Sequence, residues 1–219
     1  HRDLHSFPTR RSSDLRNYGK IDLLWYDGGY VYNAMKSRDD MAPFWGAREL
    51  NAEVRRIQPH IVINNRLGTD EDIDTPEQHV KASAAGRGWE TCMTMAGAAG
   101  WGYVKHCPTM MTAAQVLHHL VTAASGEGNF LLNVGPRPDG AIRREETDRL
   151  RAIGSWFRTN GEAIYGSERC DLPGGSCGMW TRRGTTGYLH VTRWTGRTAE
   201  APLVASRALR ATLLGSDAA

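Results

Sequence analysis

One short stretch near the start of the chain constrains the fold more than any other. Residues 21–29 read Ile-Asp-Leu-Leu-Trp-Tyr-Asp-Gly-Gly, an apolar run that ends in a carboxylate and two glycines. The run is too short for a helix and is bounded by glycine, so it predicts a buried strand over residues 21–27. Because side chains alternate along a strand, Trp25 and Asp27 share one face.

Asp27 has two interpretations on this evidence. If its face of the strand points into a barrel, Asp27 lies at the carboxyl end of that strand, where barrel enzymes place their catalytic groups. Alternatively, Asp27 caps a turn, since Asp-Gly is a common turn pair. From this stretch alone both interpretations stay open.

Strand and helix patterns alternate along the following chain. Apolar, β-branched runs predict strands at 60–66, 89–95 and 129–134, and amphipathic runs predict helices at 48–58, 112–125 and 145–160. This alternation is typical of parallel βα units, so the predicted fold class is α/β. After residue 165, glycines punctuate short strand patterns at 178–182, 187–192 and 208–214, which predicts the start of an antiparallel β-domain.

The first fifteen residues do not fit this organisation. They follow neither period and lack the apolar segment of a signal peptide. Residues 5–15 read HSFPTRRSSDL, which matches the translation of a widely used sequencing adapter. We therefore expect residues 1–15 to be an assembly artefact, followed by a βα region over 16–165 and a β region over 166–219.

Composition and spacing argue against several functions. The formal net charge is only +3 at pH 7 and no basic face with interleaved aromatic residues is present, so nucleic-acid binding is not expected. No apolar run approaches the roughly 18 residues of a membrane-spanning helix. The four cysteines match no zinc pattern, His118 and His119 lack a third ligand, and the acidic loop 69–74 lacks the glycine and glutamate of a calcium loop. We therefore expect no metal, no cofactor and no membrane contact.

Five segments in order carry a resemblance to a known family. They are LLWYDGG, INNR, WETCMTM, NFLLNVGPRPDG and NGEAIYGS, within a resemblance that runs over about residues 18–214. Together they resemble glycoside hydrolase family 29, the α-L-fucosidases. The resemblance implies a (β/α)8-like TIM barrel followed by an antiparallel β-sandwich, with the second half of the barrel at 16–165 and part of the sandwich at 166–219. It also implies retaining hydrolysis of α-L-fucosyl linkages in a fucosylated glycan or glycoconjugate, without a cofactor.

The same resemblance implies the catalytic pair. Retaining glycosidases use two carboxyl groups about 5–5.5 Å apart, one as nucleophile and the other as acid/base. Asp27 matches the family's nucleophile and Glu90 matches its acid/base, on two parallel strands that open at one face of a barrel. Because Glu90 adjoins Trp89 and lies near Met93, we expect the partly desolvated carboxyl that a general acid needs.

Three further residues match substrate-binding positions of the family. Trp25 matches a tryptophan that lines the sugar pocket. Arg66 matches an arginine that contacts the sugar and the surroundings of the nucleophile; the alternative is a structural ion pair. Trp101, in Gly-Trp-Gly-Tyr, resembles a Ser-Trp-Gly-Tyr loop of the family and packs either near the substrate or in the core. Asp139 is expected to be a turn residue.

The motifs of the first barrel strands, which supply groups that grip fucose hydroxyls, are absent from this sequence. We therefore expect the parent protein to be an enzyme and this 219-residue chain to be inactive alone. Two other functions remain open, another retaining exo-glycosidase on a similar barrel and a non-catalytic carbohydrate-binding protein. The presence of both Asp27 and Glu90 argues against the second, because binding alone needs no such pair.

Overall fold

The computed structural model describes residues 15–28, 35–170, 172, 177–194, 196–198 and 210–215. The α-helices there are α1 (Met41–Trp45), α2 (Ala47–Ile57), α3 (Ala113–Ser125) and α4 (Arg144–Asn160), and short 3-10 helices lie at Arg38–Asp40, Gly97–Ala99 and Gly161–Ala163. The strands are β1 (Leu23–Leu24), β2 (Val62–Ile63), β3 (Ile73–Asp74), β4 (Gly88–Thr94), β5 (Asn129–Asn133), β6 (Glu168–Arg169), β7 (Gly178–Arg183) and β8 (Thr186–Val191). The chain divides into two compact units, the first His1–Thr75 with Ala85–Gly88 and the second Pro76–Ala84 with Trp89–Ala219.

The first unit is a small parallel arrangement of strands with helix α2 after the first of them. Strand β1 pairs in parallel with β2, and a parallel bridge from Asn64 to Ile73 leads from β2 to β3. The buried core of this unit consists of Leu15, Tyr26, Ala47, Val54, Ile61, Ile63 and Leu67. Leu15, the last residue of the segment predicted to be an artefact, therefore packs as part of the fold, whereas residues 1–14 lie outside the described residues.

The first strand is much shorter than predicted. The sequence predicted a strand over 21–27, but only Leu23 and Leu24 form ladder pairs, with Val62 and Ile63 of the equally short β2. Beyond both ends of the ladder, side-chain amides replace the backbone partner. The amide N–H of Ile21 donates to Gln58 Oε1 at 2.8 Å, and that of Tyr26 donates to Asn64 Oδ1 at 3.0 Å.

The second unit contains two consecutive parallel βα pairs. Strand β4 runs parallel to β5 over five residue pairs, from Glu90 opposite Asn129 to Thr94 opposite Asn133. Helix α3 connects them and begins with a complete capping box between Thr112 and Gln115. One face of the strands packs against the helices in a core of Met93, Met111, Val116 and Ile153.

The predicted elements of this unit are confirmed to within one residue at each end, except in the last segment. Strands β7 and β8 form the predicted antiparallel pair, and β6, which was not predicted, pairs antiparallel with β7. The strand predicted at 208–214 is wrong over residues 210–214, which have no strand partner within the described ranges, while residues 208 and 209 lie outside them. The antiparallel strands share a unit with β4 and β5, and the boundary at residue 165 stays a prediction.

The α/β class is therefore confirmed, since parallel strands are joined by helices in both units. Neither set of parallel strands closes on itself within the described part of the chain. None of the helices in that part is long and apolar enough to cross a membrane.

A half-buried histidine makes the stability of the second unit depend on pH. The Thr181 hydroxyl donates to the Ala163 carbonyl oxygen at 2.7 Å, so it accepts from His190 Nε2 at 2.8 Å. Burial lowers the pKa of His190 from 6.5 to about 4, and the hydrogen bond to the Ala163 carbonyl opposes part of that effect. The neutral ring therefore stabilises the fold above pH 6.5, and this contribution is lost as the pH falls towards about 4.

We expect the free energy of unfolding to fall more steeply between pH 6.5 and about pH 4 in the unmodified protein than in a His190→Gln variant. The difference should reach about 3 kcal/mol, because each pKa unit corresponds to about 1.4 kcal/mol. Urea unfolding at a series of pH values measures it. The exposed His118→Gln variant is the control and should keep the steep dependence; parallel curves for the unmodified and His190→Gln proteins would contradict the assignment.

Candidate active site

Asp27 lies three residues past the carboxyl end of β1. Gly28 has a φ of +66°, a left-handed conformation that favours glycine, and the Asp-Gly turn stays a prediction because residues 29–34 lie outside the described residues. The Asp27 side chain is 73% exposed, and its Oδ1 lies 3.1 Å from Arg66 NH1. Both interpretations of Asp27 are thus compatible, since a turn residue at a strand end also presents its carboxylate to solvent.

Arg66 is fixed on the side opposite to Asp27. Its Nε donates to Thr75 Oγ1 at 2.9 Å and its NH2 donates to the Thr75 carbonyl oxygen at 3.3 Å. The guanidinium also stacks over the ring of Trp25, 4.2 Å from the centroid, and the side chain is only 14% exposed. Because the partner carboxylate is mostly exposed, the pair contributes at most about 1 kcal/mol to stability. Its main effect is to orient the Asp27 carboxylate.

Trp25 carries a polar group that lacks a protein partner. Its indole Nε1 is buried and has no hydrogen-bond acceptor within the described residues. An unsatisfied buried N–H lowers the free energy of unfolding by about 1–3 kcal/mol, so such groups are usually hydrogen-bonded to a water or a ligand. Trp25, Arg66 and Asp27 therefore form one cluster with a fixed cation, an exposed carboxylate and an unused donor.

Glu90 lies in a different setting from the one that the sequence suggested. It is half-buried at the third position of the seven-residue strand β4, four residues before the carboxyl end, a distance of about 13 Å along the strand. Trp89 points to the opposite face, where its Nε1 donates to the Gly126 carbonyl oxygen at 2.9 Å, and Met93 packs in the core on that same side. These two residues therefore do not surround the Glu90 carboxyl.

A second glutamate, Glu77, is not among the predicted site residues. It is half-buried and forms a parallel bridge with Cys92, two residues nearer to the carboxyl end of β4 than Glu90. Backbone hydrogen bonds of 2.9 Å on both sides of Cys92 hold this segment. Glu77 also follows Thr75, the residue that binds Arg66, by only two positions. No sequence signal marks Glu77, because the contact between Thr75 and Arg66 that places it near the cluster depends on the fold.

Trp101 lies on the surface of the second unit and is not a core residue. It is 37% exposed on the loop that follows β4, close in sequence to Tyr103, which is 39% exposed. Arg143 stacks on the Tyr103 ring at 4.9 Å, so a cation from the next loop braces this aromatic loop. Asp139 is confirmed as a turn residue, since it accepts from the Ala141 amide at 3.1 Å.

Two arginines form ion pairs with the acidic loop 69–74 of the first unit. Arg55 binds Glu71 and Asp72 at 2.8 Å each, and Arg87 binds Asp70 at 2.7 Å and Asp74 at 2.8 Å. Burial alone would raise the pKa of Glu71, but hydrogen bonds from Arg55 and Asn51 outweigh it, and the pKa lies below the ordinary value. No group of three or more potential metal-binding side chains occurs within the described ranges, and all four cysteines are free thiols.

Comparison with known proteins decides the family. The sequence profile of the family described as Alpha-L-fucosidase matches residues 6–162. This chain belongs to the α-L-fucosidase family. The match begins within the segment predicted to be an artefact, and it spans the whole Asp27 cluster.

Individual fucosidases are similar over most of the chain. Tissue alpha-L-fucosidase of Mus musculus is 32% identical over 167 residues, which are 71% of this chain and 35% of that protein. The solved structure of alpha-L-fucosidase isoenzyme 1 from Paenibacillus thiaminolyticus is 34% identical with a TM-score of 0.75 and covers 86% of this chain and 46% of its own. The solved structure of alpha-L-fucosidase from Vibrio sp. strain EJY3 is 27% identical with a TM-score of 0.70. That match covers 87% of this chain and 34% of the Vibrio chain. The chain thus spans about a third of the length of the mouse fucosidase.

Proposed function

We propose that this chain is the catalytic-site portion of a retaining α-L-fucosidase. The whole protein hydrolyses terminal α-L-fucosyl linkages of a fucosylated glycan or glycoconjugate on a (β/α)8-like barrel, in two displacement steps. The observation that carries the proposal is the Asp27–Arg66–Trp25 cluster in a chain of the fucosidase family. Another retaining exo-glycosidase is the alternative, and turnover of a panel of aryl glycosides by the whole protein separates the two.

Asp27 serves as the nucleophile in this proposal. Its carboxylate is exposed, so a sugar can reach it, and the anchored guanidinium of Arg66 holds it at 3.1 Å in one orientation. It attacks the anomeric carbon as the leaving oxygen departs, and water then hydrolyses the glycosyl-enzyme. The ring of Trp25 stacks on the guanidinium of Arg66, 4.2 Å from the ring centroid, and so helps to keep that cation beside Asp27.

The second carboxyl protonates the leaving oxygen and later activates water. The family resemblance assigns this role to Glu90. Glu77 is a competing candidate, favoured by its bridge to Cys92 nearer to the carboxyl end of β4 and by its position two residues after Thr75. Catalytic groups of parallel barrels come from the carboxyl ends of the strands, which is the argument for Glu77 over Glu90.

We also propose that the 219-residue chain is inactive without further barrel strands. Leu23 on β1 and Leu131 on β5 are 40% and 42% exposed, although apolar strand residues of a closed barrel face its packed interior. The chain also spans only 35% of the mouse relative. A sugar would then be held from one side only.

Replacing the nucleophile gives the first test. In the whole protein, Asp27→Gly should abolish turnover of an aryl α-L-fucoside, and added azide should restore part of it with β-fucosyl azide as the product. The small anion occupies the vacated space and attacks the anomeric carbon from the same side as the missing carboxylate. Nuclear magnetic resonance of the product measures the anomeric configuration. Full activity of the variant without azide would exclude Asp27 as nucleophile.

The acid/base is tested by comparing Glu77→Ala with Glu90→Ala. The variant that lacks the acid should lose most activity on substrates with a poor leaving group but little in the first step with a very acidic phenol, which needs no protonation. Pre-steady-state kinetics on both substrates measure this, and each variant serves as the control for the other. We expect the selective loss in one variant only; equal losses on both substrates would exclude that residue.

The last test concerns the chain itself. We expect the 219-residue chain to turn over an aryl α-L-fucoside at least about 100-fold more slowly than a version extended by the upstream strands of its gene, because lost orientation alone has this effect. We also expect the short chain to bind a hydrophobic dye through its exposed strand faces. Comparable rates with a cooperative thermal transition would show that the site is self-contained.

A further inference from the structure

The strand that precedes Asp27 ends in an unusual contact with one buried side chain. The Tyr26 amide N–H donates to Asn64 Oδ1 at 3.0 Å, and Asn64 Nδ2 donates to the Tyr26 carbonyl oxygen at 2.9 Å. Asn64 is fully buried. The Tyr26 carbonyl belongs to the peptide bond that joins Tyr26 to Asp27, so Asn64 holds the peptide plane from which Asp27 extends.

We propose that Asn64 is a positioning residue for the nucleophile, an inference that rests on the role of Asp27 proposed above. The backbone ladder between β1 and β2 stops at Leu24 and Ile63, and the next bond is from the Asn64 amide to the Leu24 carbonyl oxygen at 3.3 Å. After that, the chain turns towards β3. The planar amide of Asn64 carries a donor and an acceptor, so it continues the ladder where no backbone partner follows.

A second set of contacts fixes the side chain of Tyr26. Tyr26 is 4% exposed, and its hydroxyl donates to Asn51 Oδ1 at 2.9 Å. Asn51 in turn donates to Glu71 Oε1 at 2.8 Å, and Arg55 binds the other oxygen of Glu71 at 2.8 Å. Tyr26 is thus held at its backbone and at its ring, and the buried network specifies one position for it.

The same short segment supplies both restraints on Asp27. Asn64 fixes the peptide before Asp27, and Arg66, two residues later, orients its carboxylate. With the backbone and the carboxylate fixed separately, the oxygen atoms of Asp27 are held for attack on the anomeric carbon. A displacement of about 1 Å at such a site typically costs about 100-fold in rate.

Gln58 provides a matched control at the other end of β1. It is also buried, accepts from the Ile21 amide at 2.8 Å and donates to the Gly19 carbonyl oxygen at 2.9 Å. The chemistry is the same as that of Asn64, but Ile21 precedes Asp27 by six residues, about 20 Å along an extended chain. If both amides only stabilised the fold, replacing Asn64 and replacing Gln58 would have equal effects on kcat.

The test compares Asn64→Ala with Gln58→Ala in the whole protein. We expect both variants to lower the unfolding midpoint, but only Asn64→Ala should lower kcat, by about 100-fold with little change in KM. Gln58→Ala should keep a normal kcat per folded molecule. If Asn64→Ala does not fold, Asn64→Asp replaces it, since it keeps the acceptor for Tyr26 and removes the donor. Equal kcat values for the Asn64 and Gln58 variants would overturn the proposal.

The same Asn64 substitution in an Asp27→Gly protein distinguishes the positioning of Asp27 from a general loss of structure. In an Asp27→Gly protein with azide, the nucleophile comes from solution, so Asn64→Ala should reduce the rescued rate by less than about threefold if Asn64 acts through the placement of Asp27. A loss of the same size in both backgrounds would overturn the role of Asn64 and leave that of Asp27 intact. An Asp27→Gly protein that keeps full activity without azide would instead overturn the proposed function, and this inference with it.

Discussion

The first unit depends on how a two-residue ladder is extended by buried side chains. Strands β1 and β2 share only the pairs Leu23–Val62 and Leu24–Ile63, too few to fix a strand end by themselves. The amides of Gln58 and Asn64 extend the order of β1 in both directions, because each offers a donor and an acceptor to backbone groups outside the β1–β2 ladder. The position of Asp27 follows from the second of these.

The ion pairs of the first unit have two different arrangements. In the acidic loop, Arg55 and Arg87 each bind two carboxylates, and these ion pairs hold the segment between β2 and β3. At the site, by contrast, Arg66 is anchored by the uncharged Thr75 and leaves its remaining nitrogen to a carboxylate exposed to solvent. The second arrangement adds little stability but orients Asp27, as its proposed role as nucleophile requires.

Much of the local structure could be predicted from the sequence. Helices α2, α3 and α4 follow from apolar stripes at helical spacing, and the start of α3 follows from Thr112 and its capping box. Strand β1 was overestimated because an apolar run shows that a segment is buried but not how long its partner is. Glu90 was expected to be desolvated by Trp89 and Met93 because the three are close in sequence, whereas the alternation of side chains along β4 places both on the opposite face.

Residue order alone was sufficient for the family, the α/β class and the cluster of Trp25, Asp27 and Arg66 as candidates. Motifs and periodicity involve residues that are close in sequence, so both can be identified without knowing the tertiary structure. The tertiary structure decided which polar groups meet: that Arg66 is anchored by Thr75, that Trp89 faces away from Glu90, and that Asn64 binds the peptide before Asp27. These contacts join residues distant in sequence, and whether a buried amide finds its partner is determined only when the strands are in register.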